Sequence, residues 1–359
     1  MSSKDKNIVQ NGERVCSQTR ATRQDVARLA GVSETSVSFV YSKKRYVSPE
    51  ITERVLEAAK RLNYYPDMIA ASMVRGRTNS IAVLTEDIVS PVQMQIVQAI
   101  QARAFDAGYF VYVLGGVKRL DKYLNSIISR KVDGLFLSVS PIAIDNDMLT
   151  EVLNRGTSVI VTSSRGFIDD RVCGIELDFE LGMRDILDHL RDLGHSKIAY
   201  LSYCDETVGD KRLPVFKEYM RETFGVNDAV VEMGDPPYSS DIEQGKVLCR
   251  RLLSWAVDFT ALVCANDLMA YGAMLVLSEH GINVPRDVSV VGIDDISFSQ
   301  ATYPPLTTLS HCCDDYGSRI CEILLDNISD KSKVRREVVR PKLIVRESTA
   351  QNKASSGAE

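Results

Sequence analysis

The sequence predicts an N-terminal all-α helix-turn-helix head followed by an α/β core of two lobes. Three observations carry this. Two short helical patterns meet at Ala30-Gly31-Val32-Ser33 near the start of the chain. From Ser80 onward, continuous apolar runs alternate with amphipathic helical patterns, as in parallel sheets covered on both faces. Seven such runs are too many for one modest sheet, so two similar lobes are expected.

In the head, Thr22 is placed to cap a first helix, with Asp25 completing a capping-box pair. Val26, Ala27, Leu29 and Ala30 form its apolar face, and Gly31 supplies the tight turn. Ser33 caps a second helix that turns Val37 and Val40 inward and leaves Glu34, Thr35, Ser36 and Phe39 outward. In a helix-turn-helix the second helix enters the DNA major groove, early residues at the base edges. An ordinary helical hairpin fits this local pattern too. A third helix starts at the Ser48 cap and Pro49, with Ile51, Val55, Leu56, Ala59 and Leu62 as its stripe. It stops before Asn63-Tyr64-Tyr65-Pro66, because the residue before proline resists helix. Asp67 then caps a short pattern, MIAASMV, which ends at Arg75-Gly76-Arg77 and needs a partner to be stable. Residues 1–20 and 350–359 read as disordered tails. The expected domains are thus 21–65 for the head, 66–77 for a hinge helix and 78–349 for the core.

Within the core, strands are expected at 81–85, 110–115, 134–139, 158–163, 197–202, 260–265 and 288–293. Helices are expected near 91–107, 120–130, 178–193, 212–224, 241–255, 266–280 and 314–327. Binding sites in such sheets open at the carboxyl ends of strands.

Charge is unevenly placed. The chain of 359 residues carries −5 overall, yet residues 1–80 carry +6 and the remainder −11. A basic head on an acidic body suits attraction to double-stranded DNA at one end and solubility at the other. The N-terminal stretch lacks the apolar core of a signal peptide, and no run of 18 apolar residues occurs, so a cytoplasmic protein without a membrane partner is expected. The eight cysteines form no CxxC pair and no metal-type spacing with the four histidines. They read as buried free thiols, with a redox role for Cys312-Cys313 as the alternative. No GxGxxG, P-loop, HExxH or GxSxG occurs, and His189, His195, His280 and His311 do not cluster with a nucleophile. Neither an enzyme nor a cofactor is expected. A two-lobed transport protein would need an export signal and no basic head.

Eight segments in order and at matching spacing resemble the lactose-repressor (LacI/GalR) family of bacterial transcription regulators: DVARLAGVS (25–33), YYPDMIAASM (64–73), KVDGLFL (131–137), LGHSKIAYL (193–201), ANDLMAYGAM (265–274), VPRDVSVVGIDD (284–295), PPLTTL (304–309) and LIVRES (343–348). The resemblance runs from Thr22 to about Thr349. It implies a three-helix DNA head, a hinge helix and a core similar to periplasmic sugar-binding proteins. It also implies a homodimeric repressor on a palindromic operator, controlled by a small-molecule effector, a sugar or sugar derivative.

By position, the resemblance puts Thr22, Arg23, Glu34, Thr35, Ser36, Ser38, Phe39 and Tyr64 at the DNA, with Lys43, Lys44 and Arg45 on phosphates. Phe39 and Ser42 stand where the family often has Arg and Asn. Losing that Arg removes a bidentate guanine contact worth about 1–3 kcal/mol of discrimination. Phe39 is left to pack on a thymine methyl or in the head's core, and Glu34 can accept from a cytosine amino group. Met73 occupies the hinge position of a minor-groove leucine, with Ala70 one turn earlier. The implied effector contacts are Arg212, Asn266, Asp294 and His311, a set suited to polyhydroxyl ligands. The alternative for Arg212 and Asp294 is a structural ion pair bridging the lobes. Ser90-Pro91-Val92-Gln93 lacks the family's usual aromatics, and the acidic residue usual near Thr162–Arg165 is missing. Both departures weigh against a simple hexose, with Tyr203 or Tyr238 left to supply stacking.

Overall fold

The computed structural model describes residues 21–42, 45–66, 76–116, 119–138, 146–162, 169–204, 212–236 and 239–352. Lys43, Lys44, Ala70, Met73, Tyr238, the first 20 residues and 353–359 lie outside the described residues. The chain divides into two compact units, Met1–Gly76 and Arg77–Glu359.

The head has three helices, α1 (Arg23–Ala30), α2 (Glu34–Ser42) and α3 (Pro49–Arg61). Thr22 Oγ1 accepts the Asp25 amide at 3.3 Å while Asp25 Oδ2 accepts the Thr22 amide at 2.9 Å, so both halves of the capping box form. Such a cap is worth about 1 kcal/mol. Gly31, at φ 64, ends α1 in the left-handed region, which glycine adopts without strain. Arg54 seals the turn by donating to the Ala30 carbonyl at 2.5 Å. Val26, Ala27, Ala30, Val37, Val55, Ala58 and Ala59 form the buried core, with Val32, Val40, Ile51, Leu62 and Tyr64 packed against it. Leu29 and Leu56, expected on the apolar faces, are instead each 49% exposed. At 100° per residue each sits roughly 110° around its helix from the buried stripe.

The second unit holds two six-stranded sheets. The first contains β1 (Ser80–Thr85), β2 (Phe110–Gly115), β3 (Gly134–Ser138), β4 (Ser158–Val161), β5 (Cys173–Leu177) and β11 (Arg336–Val339), in the order β11-β5-β4-β3-β1-β2, all parallel. The second contains β6 (Ile198–Ser202), β7 (Val231–Met233), β8 (Ala261–Cys264), β9 (Ser289–Asp294), β10 (Thr307–Ser310) and β12 (Lys342–Ile344). Its order is β12-β10-β9-β8-β6-β7, with β12 antiparallel to β10. Connecting helices are α4 (Pro91–Asp106), α5 (Leu120–Arg130) and α6 (Asn146–Asn154) in the first lobe, and α8 (Arg212–Phe224), α9 (Ile242–Ser254) and α10 (Asp267–Glu279) in the second.

The chain crosses between lobes three times. Helix α7 (Phe179–Asp192) carries it from β5 into the second lobe, α11 (Cys313–Ser329) brings it back after β10, and β11 leads to β12. Phe179 and Tyr271 pack against the cores of both lobes. Helix α11 lies so close on α4 that a Cβ at Gly317 would sit 2.7 Å from the Ile96 carbonyl. Five strands (β5, β7, β10, β11 and β12) and helix α6 were not expected from the sequence; the remaining core elements begin and end within a few residues of expectation. Residues 350–352, expected in a disordered tail, are tied to the core: Ala350 donates to Ser289 Oγ at 3.1 Å and Asn352 to the Leu193 carbonyl at 2.9 Å.

Candidate DNA-reading face and effector cluster

On α2, Val37 is buried and Glu34 and Thr35 are exposed, with Ser36, Ser38 and Phe39 partly so. Ser33 caps the helix by accepting the Ser36 amide at 3.1 Å. Glu34 is engaged by Arg23, Nε to Oε2 at 3.2 Å. Both side chains are about half exposed, and such a pair is worth at most about 1 kcal/mol, little resistance to exchange for a base or phosphate. Phe39 lies outside the buried cluster, so the head-core alternative does not hold. Its ring instead carries the Arg45 guanidinium, 5.5 Å from the centroid. Tyr64, expected at the DNA, packs on the head core and meets Tyr41 edge-on at 6.1 Å.

Three of the four expected effector residues come together. Arg212 opens α8, Asp294 ends β9 and His311 follows β10, so all stand at carboxyl ends of second-lobe strands or beside them. His311 Nε2 is 3.4 Å from Asp294 Oδ1, and that nitrogen is buried without a hydrogen bond among the described residues. Arg212 lies over Phe179 at 5.1 Å and Tyr203 at 5.6 Å, and donates to the Ala265 carbonyl at 2.7 Å. His311 meets Phe179 edge-on at 5.4 Å. Arg212 and Asp294 both belong to the second lobe, so an ion pair bridging the lobes is not their role.

Asn266, the fourth, also holds the fold. Its Oδ1 caps α10 by accepting the Met269 amide at 2.8 Å, and its Nδ2 donates to the Ser240 carbonyl at 2.7 Å. Each end of the amide makes one such bond, which leaves one N–H and one acceptor site of the side chain. From the first lobe, Gln93 Oε1 accepts from Ser138 at 2.9 Å and Thr85 at 3.3 Å, which joins α4 to the ends of β1 and β3. Val92 is buried in the first-lobe core, so that segment supplies no stacking surface there.

Burial dominates the electrostatics. It pushes His311 down to about 3, with Arg212 adding to the shift, and pushes Asp294 well above the usual carboxylate range. At neutral pH the imidazole is therefore neutral, one nitrogen donating and one accepting. Beneath them, buried Asp267 accepts from the Ile296 amide at 3.0 Å and from the Ser299 and Thr308 hydroxyls at 2.5 Å each. Asp294 and Asp295 have φ of 125 and 56, and Arg346 fixes this bend through Asp295 at 2.6 Å. Phe179, Asp267 and Arg346 were missed at the sequence level. Only Asp267, an acid inside an apolar run, carried any local signal. The cluster is a rigid set of donors and acceptors against aromatic rings, fit for binding a polar ligand.

Residues 22–67 match the family model of bacterial regulatory proteins, lacI family, and residues 187–349 match that of a periplasmic binding protein-like domain. The transcriptional repressor PurR of Haemophilus influenzae (strain PittEE) is 31% identical over 341 residues, spanning 91% of this chain and 98% of the relative. The lac repressor dimer bound to operator and the anti-inducer ONPF is 28% identical with a TM-score of 0.78, over 92% of this chain and all of that one. A CelR–cellobiose complex is 28% identical, with a TM-score of 0.64 over 92% of this chain and all of the other. The chain belongs to the lacI family of bacterial regulatory proteins, DNA-binding transcriptional repressors with an effector-binding core.

Proposed function

We propose that the protein is a cytoplasmic homodimeric repressor that holds a palindromic operator and releases it when a sugar or sugar derivative binds between its lobes. The observation that carries this is the convergence of Arg212, Asp294 and His311 beside Phe179, where the chain crosses between lobes. The donors and acceptors suit hydroxyl groups, and the described aromatic faces of Phe179 and Tyr203 already carry Arg212, which disfavours a flat base stacked there. The CelR–cellobiose relative supports the same ligand class. Exposed Phe105, Phe110 and Tyr112 on α4 and the edge strand β2 supply an apolar surface for a second copy. A groove of about 580 Å³ along α4, lined by Ile88, Pro91, Met94 and Val97, adds to it.

In this reading the hinge is 66–77, with Ala70 and Met73 at the minor groove and Thr22, Arg23, Glu34, Thr35, Ser36, Ser38, Phe39, Lys43, Lys44, Arg45 and Tyr64 in the head's contact set. The ligand needs to favour the releasing state by only a few kcal/mol. The test is a thermal-shift panel of sugars, sugar acids and purine bases on wild type and Arg212→Ala. A carbohydrate at a hundredfold excess over its Kd should stabilise the wild type by about 2.7 kcal/mol and leave the variant unmoved. Gel shifts without ligand should be the same for both. A shift produced by a purine base alone would overturn the sugar reading, and an effector response surviving in Arg212→Ala would overturn the pocket.

A further inference from the structure

The first-lobe sheet is wholly parallel, so all six of its strands begin along one edge. The chain enters from the head at that edge, since Gly76 ends the first unit and Arg77 begins the second. The four residues before each of these strands hold seven Lys or Arg and four Asp. That balance is basic, although the chain beyond residue 80 carries −11. The acids beside β5 and β11 are already engaged. Asp169 pairs with Arg171 at 2.9 Å, Asp170 with Arg336 at 3.4 Å and Asp326 with Arg335 at 3.1 Å, while Asp330 accepts the Ser332 amide at 3.0 Å. Four exposed cations are not so matched: Arg77, Lys131, Lys331 and Lys333 have no ion pair among the described residues. Arg77 donates to the Ile328 carbonyl at 3.1 Å and Lys331 to the Ser158 hydroxyl at 2.6 Å, both neutral partners. Burial first, and then Arg77, lower the proton affinity of Lys331, with Asp133 opposing. Two like charges are thus held within reach of each other.

We infer that this edge is a second DNA-contacting surface, on the core: Arg77, Lys131, Lys331 and Lys333 hold the backbone of the duplex that the head has bound. The inference rests on the operator-binding reading of the head. Arg77 precedes β1, Lys131 precedes β3, Lys331 reaches the start of β4 and Lys333 precedes β11. At about 4.8 Å per strand, the order β11-β5-β4-β3-β1 spreads them along roughly 20 Å. Cations strung along a line suit a linear polyanion, whereas a small anion needs them to converge on one point. Double-stranded DNA offers one charge per about 1.7 Å of its axis, about a dozen over that length. Its phosphates supply the counter-charge that the edge lacks, with release of condensed counterions. Only residues 66–76 separate the edge from the head, so DNA held by the head meets it at a raised effective concentration. Such contacts add affinity and carry no sequence information.

The test measures binding of the full-length protein to a mixed-sequence duplex of about 40 base pairs between 50 and 200 mM salt. Wild type is compared with Lys333→Gln, with the double variant Lys131→Asn Lys333→Gln, and with Lys342→Gln as a control on the second lobe. Lys131 ends α5 at φ 52, a conformation that asparagine tolerates, and both lysines are exposed. Each variant should therefore fold, which thermal unfolding checks. Each phosphate contact contributes about 0.9 to the log–log salt slope. The double variant removes two lysines from each subunit of the proposed dimer, so its slope should be shallower by roughly 2–4, and that of Lys333→Gln by about half as much. Lys342→Gln should keep the wild-type slope. A wild-type slope in both Lys333→Gln and the double variant would overturn the inference. An equal fall in Lys342→Gln would overturn it too, because net charge and not this edge would then set the slope. Wild type that binds the duplex without salt dependence would overturn the operator-binding reading itself.

Discussion

At the end of β9 the backbone runs through two successive non-glycine residues with positive φ, Asp294 at 125 and Asp295 at 56. Such conformations cost of order 1–3 kcal/mol each and persist only where surroundings hold them. Here Arg346 holds them, donating to Asp295 and to the Leu306 carbonyl at 2.8 Å. Asp295→Asn, which keeps the shape and loses the charge-assisted bond, should weaken effector binding roughly tenfold if that bond is worth about 1.5 kcal/mol. Calorimetry with the effector found by thermal shift checks this, and unchanged affinity would mean the bend holds without Arg346. His195 shows the opposite use of a buried side chain. It is paired with Thr260 at 2.9 Å, the Ala350 carbonyl at 3.0 Å and Ser289 at 3.1 Å, and burial lowers its proton affinity below the ordinary 6.5. A depressed histidine contributes stability that is present above 6.5 and is lost as pH falls. His195→Gln should cost about 1–3 kcal/mol at pH 7.5 by leaving buried partners unmatched. The gap to wild type should narrow at pH 5; urea midpoints showing a constant gap would refute the burial account.

At the scale of elements, close approach decides the first lobe. Gly317 lets α11 rest on α4, where an added Cβ would meet Ala99 Cβ at 2.6 Å and the Ile96 carbonyl at 2.7 Å. Helix propensity favours Ala over Gly by about 1 kcal/mol, whereas overpacking costs about 1–3 kcal/mol. Gly317→Ala should therefore lower the denaturation midpoint, and a rise would show that the two helices can part freely. Strand β2 ends its sheet with Phe110 66% exposed and stacked edge-on against Tyr112 at 5.2 Å. Phe110→Glu should shift the sedimentation of the proposed dimer toward monomer; unchanged sedimentation would move the interface elsewhere. Strand β1 was legible as a continuous apolar run, buried from Ser80 to Thr85, and so was β2, whose run FVYVLG is apolar although half exposed. Strand β10 reads TTLS and escapes an apolar-run criterion, although all four residues are buried. Strands β7 and β12 are three residues each, too short for any period to register, and β11 is a half-exposed edge. Arg212, Asp294 and His311 were legible because motif position located them. Phe179 was not, because it matters only through a crossing between lobes that local sequence does not encode. Asn266 was located by its motif too, and its cap on the N-terminus of α10 is a second role that the motif did not announce.

For the whole molecule, two kinds of electrostatics are kept apart along the chain. The first 80 residues carry +6 and the rest −11, while in the effector cluster burial has pushed Asp294 and His311 toward neutrality beside the charged Arg212. Exposed charges act over a Debye length of about 10 Å at 0.1 M salt, and buried ones are screened far less. DNA contact made by the exposed head displaces condensed counterions, and each neutralised phosphate steepens the salt dependence by roughly 0.9 in log–log slope. A dimer making 6–10 such contacts should lose about 10³–10⁵ in operator affinity between 50 and 200 mM salt. Effector affinity should change less than about threefold over the same range, because its contacts are short, enclosed and mostly uncharged. Measuring both constants on one preparation across that range separates the two sites without a mutation. Equal salt sensitivity would mean that the effector enters as an ion held by exposed charge, and the cluster around Arg212 would not be its site.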